Sequence, residues 1–339
     1  MPAQLTSRAG CEKGMVRIMP GFITHYLFGR DAYKKLPSGA LKDNILKNHA
    51  AYTLGQQGPD LFFYFFPSYC LHGNNIGAIS HCNETNAFFR GLLLSCHRFK
   101  SRDLQIAIAY LTGFVGHYTL DTNCHPYVYA RTDFVKRTGD YFSRHAYLET
   151  DIDKKLLYHK LHRKPINFHC ANTIAVTPRQ SRVIARMLYV ACHYAFPKLI
   201  FHTYMMRAAI FSMHFGLKLL HDNTNGQKKV FFRFIEKHIL GYPIFSPLVS
   251  SNKLWFCSDP FNLSRKEWKN PWDHSLVSHE TFFDLYQKAE ASYSSRLKKI
   301  TRFFYEPATP KERREQMKEL IDDYDNLSFH SGLDCSIPS

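Results

Sequence analysis

The stretch from Ala109 to Asp153 limits what this chain can become more than any other. It reads AYLTGFVGHYTLDTNCHPYVYAR, then a polar connection, then HAYLETDID. His117, Asp121 and His125 fall four residues apart, and so do His145 and Glu149, with Asp153 one turn further on. On a helix, residues four apart lie one above another on one face. The pattern therefore turns imidazoles and carboxylates of two consecutive helices toward a common space. Neutral imidazole and carboxylate without thiolate form the donor set of catalytic zinc and related divalent ions. Surface ion pairs share this spacing, and with 19 histidines one His-x3-Asp-x3-His match has roughly one chance in ten from composition. The setting opposes a solvated face. Ile106, Ile108, Leu111, Phe114 and Val115 make the helix apolar. Gly113 and Gly116, each costly inside a helix, point to close packing beside the polar stripe. Buried imidazole and carboxylate need partners, and a metal supplies them.

A length of 339 residues allows one large domain or two ordinary ones, and 45% apolar with 15% aromatic residues supports a sizeable core. Nine cysteines, an odd number with no Cys-x-x-Cys pair, argue against a disulfide framework and against a cysteine zinc site. The first residues carry scattered charges and no apolar run, so no signal peptide is read and a reducing cytoplasm is the expected setting. Leu104–Gly116 is too short to span a bilayer. The net charge of +16 is spread along the chain. It suits anionic membranes, nucleic acid or phosphorylated substrates, but no dense basic block marks a nucleic-acid arm. Most of this charge reads as plain solvated surface; among partners, peripheral contact with the inner face of an anionic membrane is the expectation and nucleic acid the weaker one. No feature sets an oligomeric state.

In chain order, residues 1–18 read as a disordered or dispensable extension, and 19–330 as one helical domain. Thr24 is a cap candidate for a first helix carrying His25. A second helix is expected over Leu41–Leu54. Gly58-Pro59-Asp60 opens an aromatic run, Phe62–Phe66, read as core ahead of a lipid wedge. His72 falls in a loop, and a helix from about Ile76 carries His81. The central helix is expected over Ser101–Ala130, with His125 at a kink or exit because the residue before a proline avoids the α region. Further helices are expected over Arg179–Phe196, Phe201–His221, Gln227–Leu240, His279–Phe304 and Glu312–Asp325. A long loop covers 241–272, and no strand or hairpin signal stands out. His193, His202, His214 and His238 lack carboxylates at matching spacing and read as core or surface residues.

Taken together, His25, Gly-Pro-Asp60, His81, His117-x3-Asp121-x3-His125-Pro126 and His145-x3-Glu149 resemble the zinc-dependent phospholipase C family. Its fold is shared with fungal single-strand-specific nucleases. MPGFITHYLFG, GQQGPDLFFYF, FVGHYTLDTNCHPYVYAR and HAYLETDID resemble segments of its bacterial intracellular branch, with a weaker echo in WKNPWDHS and SHETFFDLYQKAE. The resemblance implies an all-α fold with a cleft for two or three zinc ions, and hydrolysis of a phospholipid or related phosphodiester. It assigns Asp60, His81, His117 and Asp121 to one ion and His125, His145 and Glu149 to a second. His25, with a bridging Asp121, falls to the third, and the general base falls on Asp60. A single-strand nuclease and a metal-stabilised protein without turnover are the alternatives. Secreted members place two more residues between the counterparts of Asp121 and His125. They also use a mature N-terminal amine as ligand, where this chain has 24 residues before His25. Translation from Met19 with methionine removal would give a chain starting at Pro20 and an amine near His25.

Overall fold

The computed structural model describes residues 21–336, except 73, 133–140, 240, 242, 244 and 253. The expected extension over 1–18 and the Met19 start lie outside these residues. The architecture is all-α, as the resemblance implied, with one minimal strand pair.

The organising element is a 31-residue helix, residues Ser101–Arg131. It is preceded by α1 (Phe22–Lys35), α2 (Ala40–Lys47), α3 (His49–Gly55), a 3-10 turn (Gly58–Tyr64), α4 (Pro67–His72), α5 (Ile76–Cys82) and α6 (Thr85–Cys96), which makes it α7. Every residue of α7 from Ile106 to Asp121 is buried, as expected of a helix apolar all round. α1, α3, α6 and three later helices surround it: α8 (Tyr141–Leu161), α10 (Pro178–Ala195) and α13 (Phe282–Tyr305). Between these run the short α9 (Cys170–Thr173), α11 (Thr203–Leu220) and α12 (Gln227–Ile239), and α14 (Pro310–Asp323) closes the helical part. Capping boxes at Thr177, Thr281 and Thr309 fix the starts of α10, α13 and α14. Among the described residues no helix is long and apolar enough to cross a membrane.

Several expectations change. Thr24 does not cap α1. Gly21, at φ +97°, precedes the helix, and the carboxylate of Asp153 on α8 accepts the amide protons of Ile23 (3.1 Å) and Thr24 (2.7 Å) and the Thr24 hydroxyl proton (2.6 Å). The helix expected over Leu41–Leu54 breaks at Asn48 (φ −120°, ψ 35°), whose side chain donates back to Asn44, the competition that disfavours asparagine inside helices. α7 covers the expected span to within one residue, continuing through Pro126 to Arg131 with no exit at His125. Gly332 packs against the Thr122 carbonyl, which Pro126 leaves without its helical donor. Trp268–Lys269 and Val277–Ser278 form a two-residue antiparallel pair that the sequence did not signal. Phe62, Phe63 and Phe65 are core as expected, while Phe66 is exposed.

The two α7 glycines pack as expected. A β-carbon on Gly113 would stand 2.1 Å from the Tyr52 carbonyl oxygen, and one on Gly55 2.2 Å from that of Tyr110. α3 and α7 thus cross backbone to backbone, while Gly116 lies against Gln56 and Tyr293.

Candidate metal centre

Eight side chains from five segments converge on one buried space, none of them more than 6% exposed. α1 brings His25, the 3-10 turn Asp60 and α5 His81; α7 brings His117, Asp121 and His125, and α8 His145 and Glu149. Local structure explains the placements. Gly58, at φ +47°, has no room for a side chain, since a β-carbon would come 2.1 Å from the His117 ring; this lets the turn lay Asp60 beside that histidine. Asp153, by capping α1, fixes the first turn that holds His25. His72 stands apart, near Ser68 and donating from Nε2 to Ile200 O (2.9 Å), so His81 is the histidine of that region that reaches the centre.

Asp121 stands in the middle. Its oxygens lie 3.1 Å from His25 Nε2, 2.9 Å from His117 Nε2, 3.9 Å from His81 Nε2 and 3.6 Å from His125 Nδ1. Glu149 Oε1 lies 3.1 Å from His125 Nε2 and 3.4 Å from His145 Nε2. His81 Nε2 is 3.1 Å from Asp60 Oδ1. Three donor triads result: Asp60, His81 and His117; His25, His117 and Asp121; and His125, His145 and Glu149.

Ring orientation separates this cluster from an ordinary ion-pair network. Nδ1 of His81 donates to Gly77 O (2.6 Å), Nδ1 of His117 to Gln56 O (3.2 Å) and Nδ1 of His125 to Phe329 O (2.8 Å). A carbonyl can only accept, so each contact puts a proton on Nδ1 and aims Nε2 at the carboxylates. His81 Nε2, His117 Nε2, Asp60 Oδ1 and Asp121 Oδ2 are buried without a hydrogen bond. Buried lone pairs aimed at one another are costly unless a cation lies between them, so the donor set fits divalent zinc.

The electrostatics agree. Burial raises the pKa of Asp121, but His117, His125 and His25 outweigh it and hold the carboxyl well below its usual range. Burial lowers that of His125, yet the charge of Asp121 and contact with Glu149 push it up to about 9. A divalent cation bound at Nε2 would take the place of the proton that Glu149 favours there.

The sequence reading missed two features. Phe329 and His330 wall the centre: Phe329 N–H donates to His81 O (2.9 Å), and the His330 ring stacks on His81 at 5.2 Å. The preceding helical text gives no sign that this tail returns to α5; a histidine within the Ser328–Gly332 turn is the only signal, and a weak one. Gly21 was passed over as well. It borders the centre, where a side chain would come 3.7 Å from Glu149 Oε1, and also an adjoining cleft lined by Phe22, Tyr64, Phe168, Leu217 and Leu220.

A family model described as zinc dependent phospholipase C matches residues 24–196, just over half of the chain and all eight residues of the cluster. No curated protein and no solved structure matches.

Proposed function

The chain belongs to the zinc-dependent phospholipase C family, and from that membership and the buried donor cluster we propose a metal-dependent hydrolase of a phospholipid or related phosphodiester. The observation that carries the reading is the three donor triads, in which His81, His117 and His125 are pre-oriented by backbone carbonyls. Asp60, His81, His117, Asp121, His125, His145, Glu149 and His25 would hold two or three ions, with Asp121 between the groups. Zinc held there supplies Lewis acidity, acidifying water and drawing charge from phosphoryl oxygens. The protein's part is positioning. Hydrogen bonds from Nδ1 fix the rings of His81, His117 and His125, burial keeps bulk water from competing, and Asp60, whose Oδ1 lies 3.1 Å from His81 Nε2, is the carboxylate that would accept the proton of an attacking water.

The cleft beside Gly21 supports a lipid over a nucleic acid. Ile23, Leu217, Leu220 and Leu248 give it an aliphatic side, beside the carboxylates of Asp153 and Asp222, which oppose a polyanion, and the rings of Tyr64 and His221.

The test is elemental analysis of protein purified without chelator, with hydrolysis of bis-p-nitrophenyl phosphate and of a phospholipid, for wild type and Asp60→Asn. Bound zinc, turnover of both substrates and its loss in the variant are expected. Less than one equivalent of metal sinks the metal reading. Bound zinc without turnover makes the protein a metal-stabilised structural one.

A further inference from the structure

Outside the centre, α12 is built inside out. Its buried residues are Lys229 and Glu236, while Val230, Phe231 and Phe234 are each more than half exposed. The orientation is locked by polar contacts. Lys229 Nζ donates to Val249 O (3.0 Å) and lies over the rings of Tyr147 and Trp255, and Glu236 accepts the amide protons of Phe245 and Ser246. The preceding α11 buries Met206, Ala209 and Met213, yet sets Tyr204, Phe211, Phe215 and Leu219 outward along one stripe, with the rings of Phe211 and Phe215 stacked at 6.3 Å. Aromatic residues on consecutive helices, held outward, mark a surface that is covered in use.

Charge identifies the cover. Arg207 and Lys218 are exposed on α11 and Arg233 and Lys237 on α12, Arg233 also lying over the Trp255 ring at 5.4 Å, whereas the acidic residues of the two helices and their link, Asp222 and Glu236, are buried. The charges that these two helices expose are therefore all cationic and stand beside outward apolar and aromatic side chains, the composition of helices that lie in the interface of an anionic bilayer. A second copy fits poorly, because a two-fold contact would set this cationic rim against itself. The end of α11 also places Leu217, Leu220 and His221 in the wall of the cleft that meets the centre at Gly21.

We propose that the outward faces of α11 and α12 are a docking surface for an anionic lipid bilayer, presenting the cleft to the lipid. The docking stands independently of catalysis; only its role in delivering substrate rests on the hydrolase reading.

Co-sedimentation with phosphatidylcholine vesicles, with and without phosphatidylglycerol, tests it. Wild type should bind the anionic vesicles and lose them as salt is raised. F211S/F215S/F231S/F234S and, separately, R207E/K237E should each bind about tenfold or more weakly, with unchanged zinc content and melting temperature, since these side chains are exposed. The charge variant decides alone if the aromatic variant fails to fold. Wild type that binds neither vesicle, or variants that bind as wild type does, overturn the proposal. A dimer dispersed by the aromatic variant, with no vesicle binding, overturns it in favour of a second copy. Because the readout is binding, loss of hydrolysis with binding retained refutes only the hydrolase reading.

Discussion

Gly113→Ala should destabilise the protein although alanine is the better helix former. A β-carbon at that position would stand 2.1 Å from the Tyr52 carbonyl oxygen, with Gln56 N at 2.9 Å behind it. Carbon and carbonyl oxygen normally approach to about 3.3 Å, so α3 and α7 must part by roughly 1 Å. The obstructing atoms are backbone, which no rotamer change can clear, and the interior is close-packed. Overpacking of this kind costs about 1–3 kcal/mol, and the upper end applies here. The gain from replacing glycine in a helix is about 1 kcal/mol. Steric cost wins, for a net loss of about 2 kcal/mol. The displacement also reaches the centre, because the Gln56 carbonyl that orients His117 follows directly on α3. Urea denaturation in excess zinc measures the first effect and bound metal the second. A variant as stable as wild type, or more so, would falsify the backbone-crossing argument.

Asp121→Ala should lose more zinc than any single histidine variant, because its carboxylate lies within 3.9 Å of four imidazoles; elemental analysis of the set checks the order. Chelation should lower the melting temperature and zinc restore it, each site adding about 2.7 kcal/mol at a hundredfold excess over its Kd; an unmoved transition contradicts a structural contribution from metal. Burial, against the opposing charge of Asp151, lowers the pKa of Lys229 from 10.5 to about 7, with Lys154, Arg233 and Asp222 as further neighbours. The unfolded chain then binds more protons between these values, so stability rises from pH 7 toward pH 10. Lys229→Met should flatten that rise in urea midpoints taken across the range.

How much was legible follows from where each interaction lives in the chain. Regular spacing carries the α7 and α8 donors, because both segments are helical and i, i+4 places side chains directly. Asp60, His81 and His25 come from distant segments, and only the ordered resemblance brought them in. The carbonyls of Gly77, Gln56 and Phe329 were illegible because every residue has one, and only the fold decides which meets an imidazole. The outward face of α12 was hidden for a related reason. Its periodicity predicts a helix, but which side is buried depends on Val249, Tyr147 and Trp255, which come from elsewhere in the chain.

The split of one histidine stripe between two triads follows from helix geometry without an end to α7 at His125. At 3.6 residues per turn, four residues turn about 40° past a full revolution, and eight turn about 80°. His117 and His125 therefore cannot face the same point on a straight helix, while Asp121, halfway between, faces both. The observed partners follow that drift: His117 joins Asp60 and His81, His125 joins His145 and Glu149, and Asp121 lies within reach of both histidines. The same rotation acts on α8. Asp153 comes eight residues after His145 and has turned away from the cluster, to the amides that begin α1. Its carboxylate thus acts on the centre indirectly, by fixing the turn that carries His25. Shortening the interval between Asp121 and His125 by two residues, relative to the secreted enzymes the sequence resembles, keeps both on one uninterrupted helix. The place of Asp121 between His117 and His125 is then set by helical pitch.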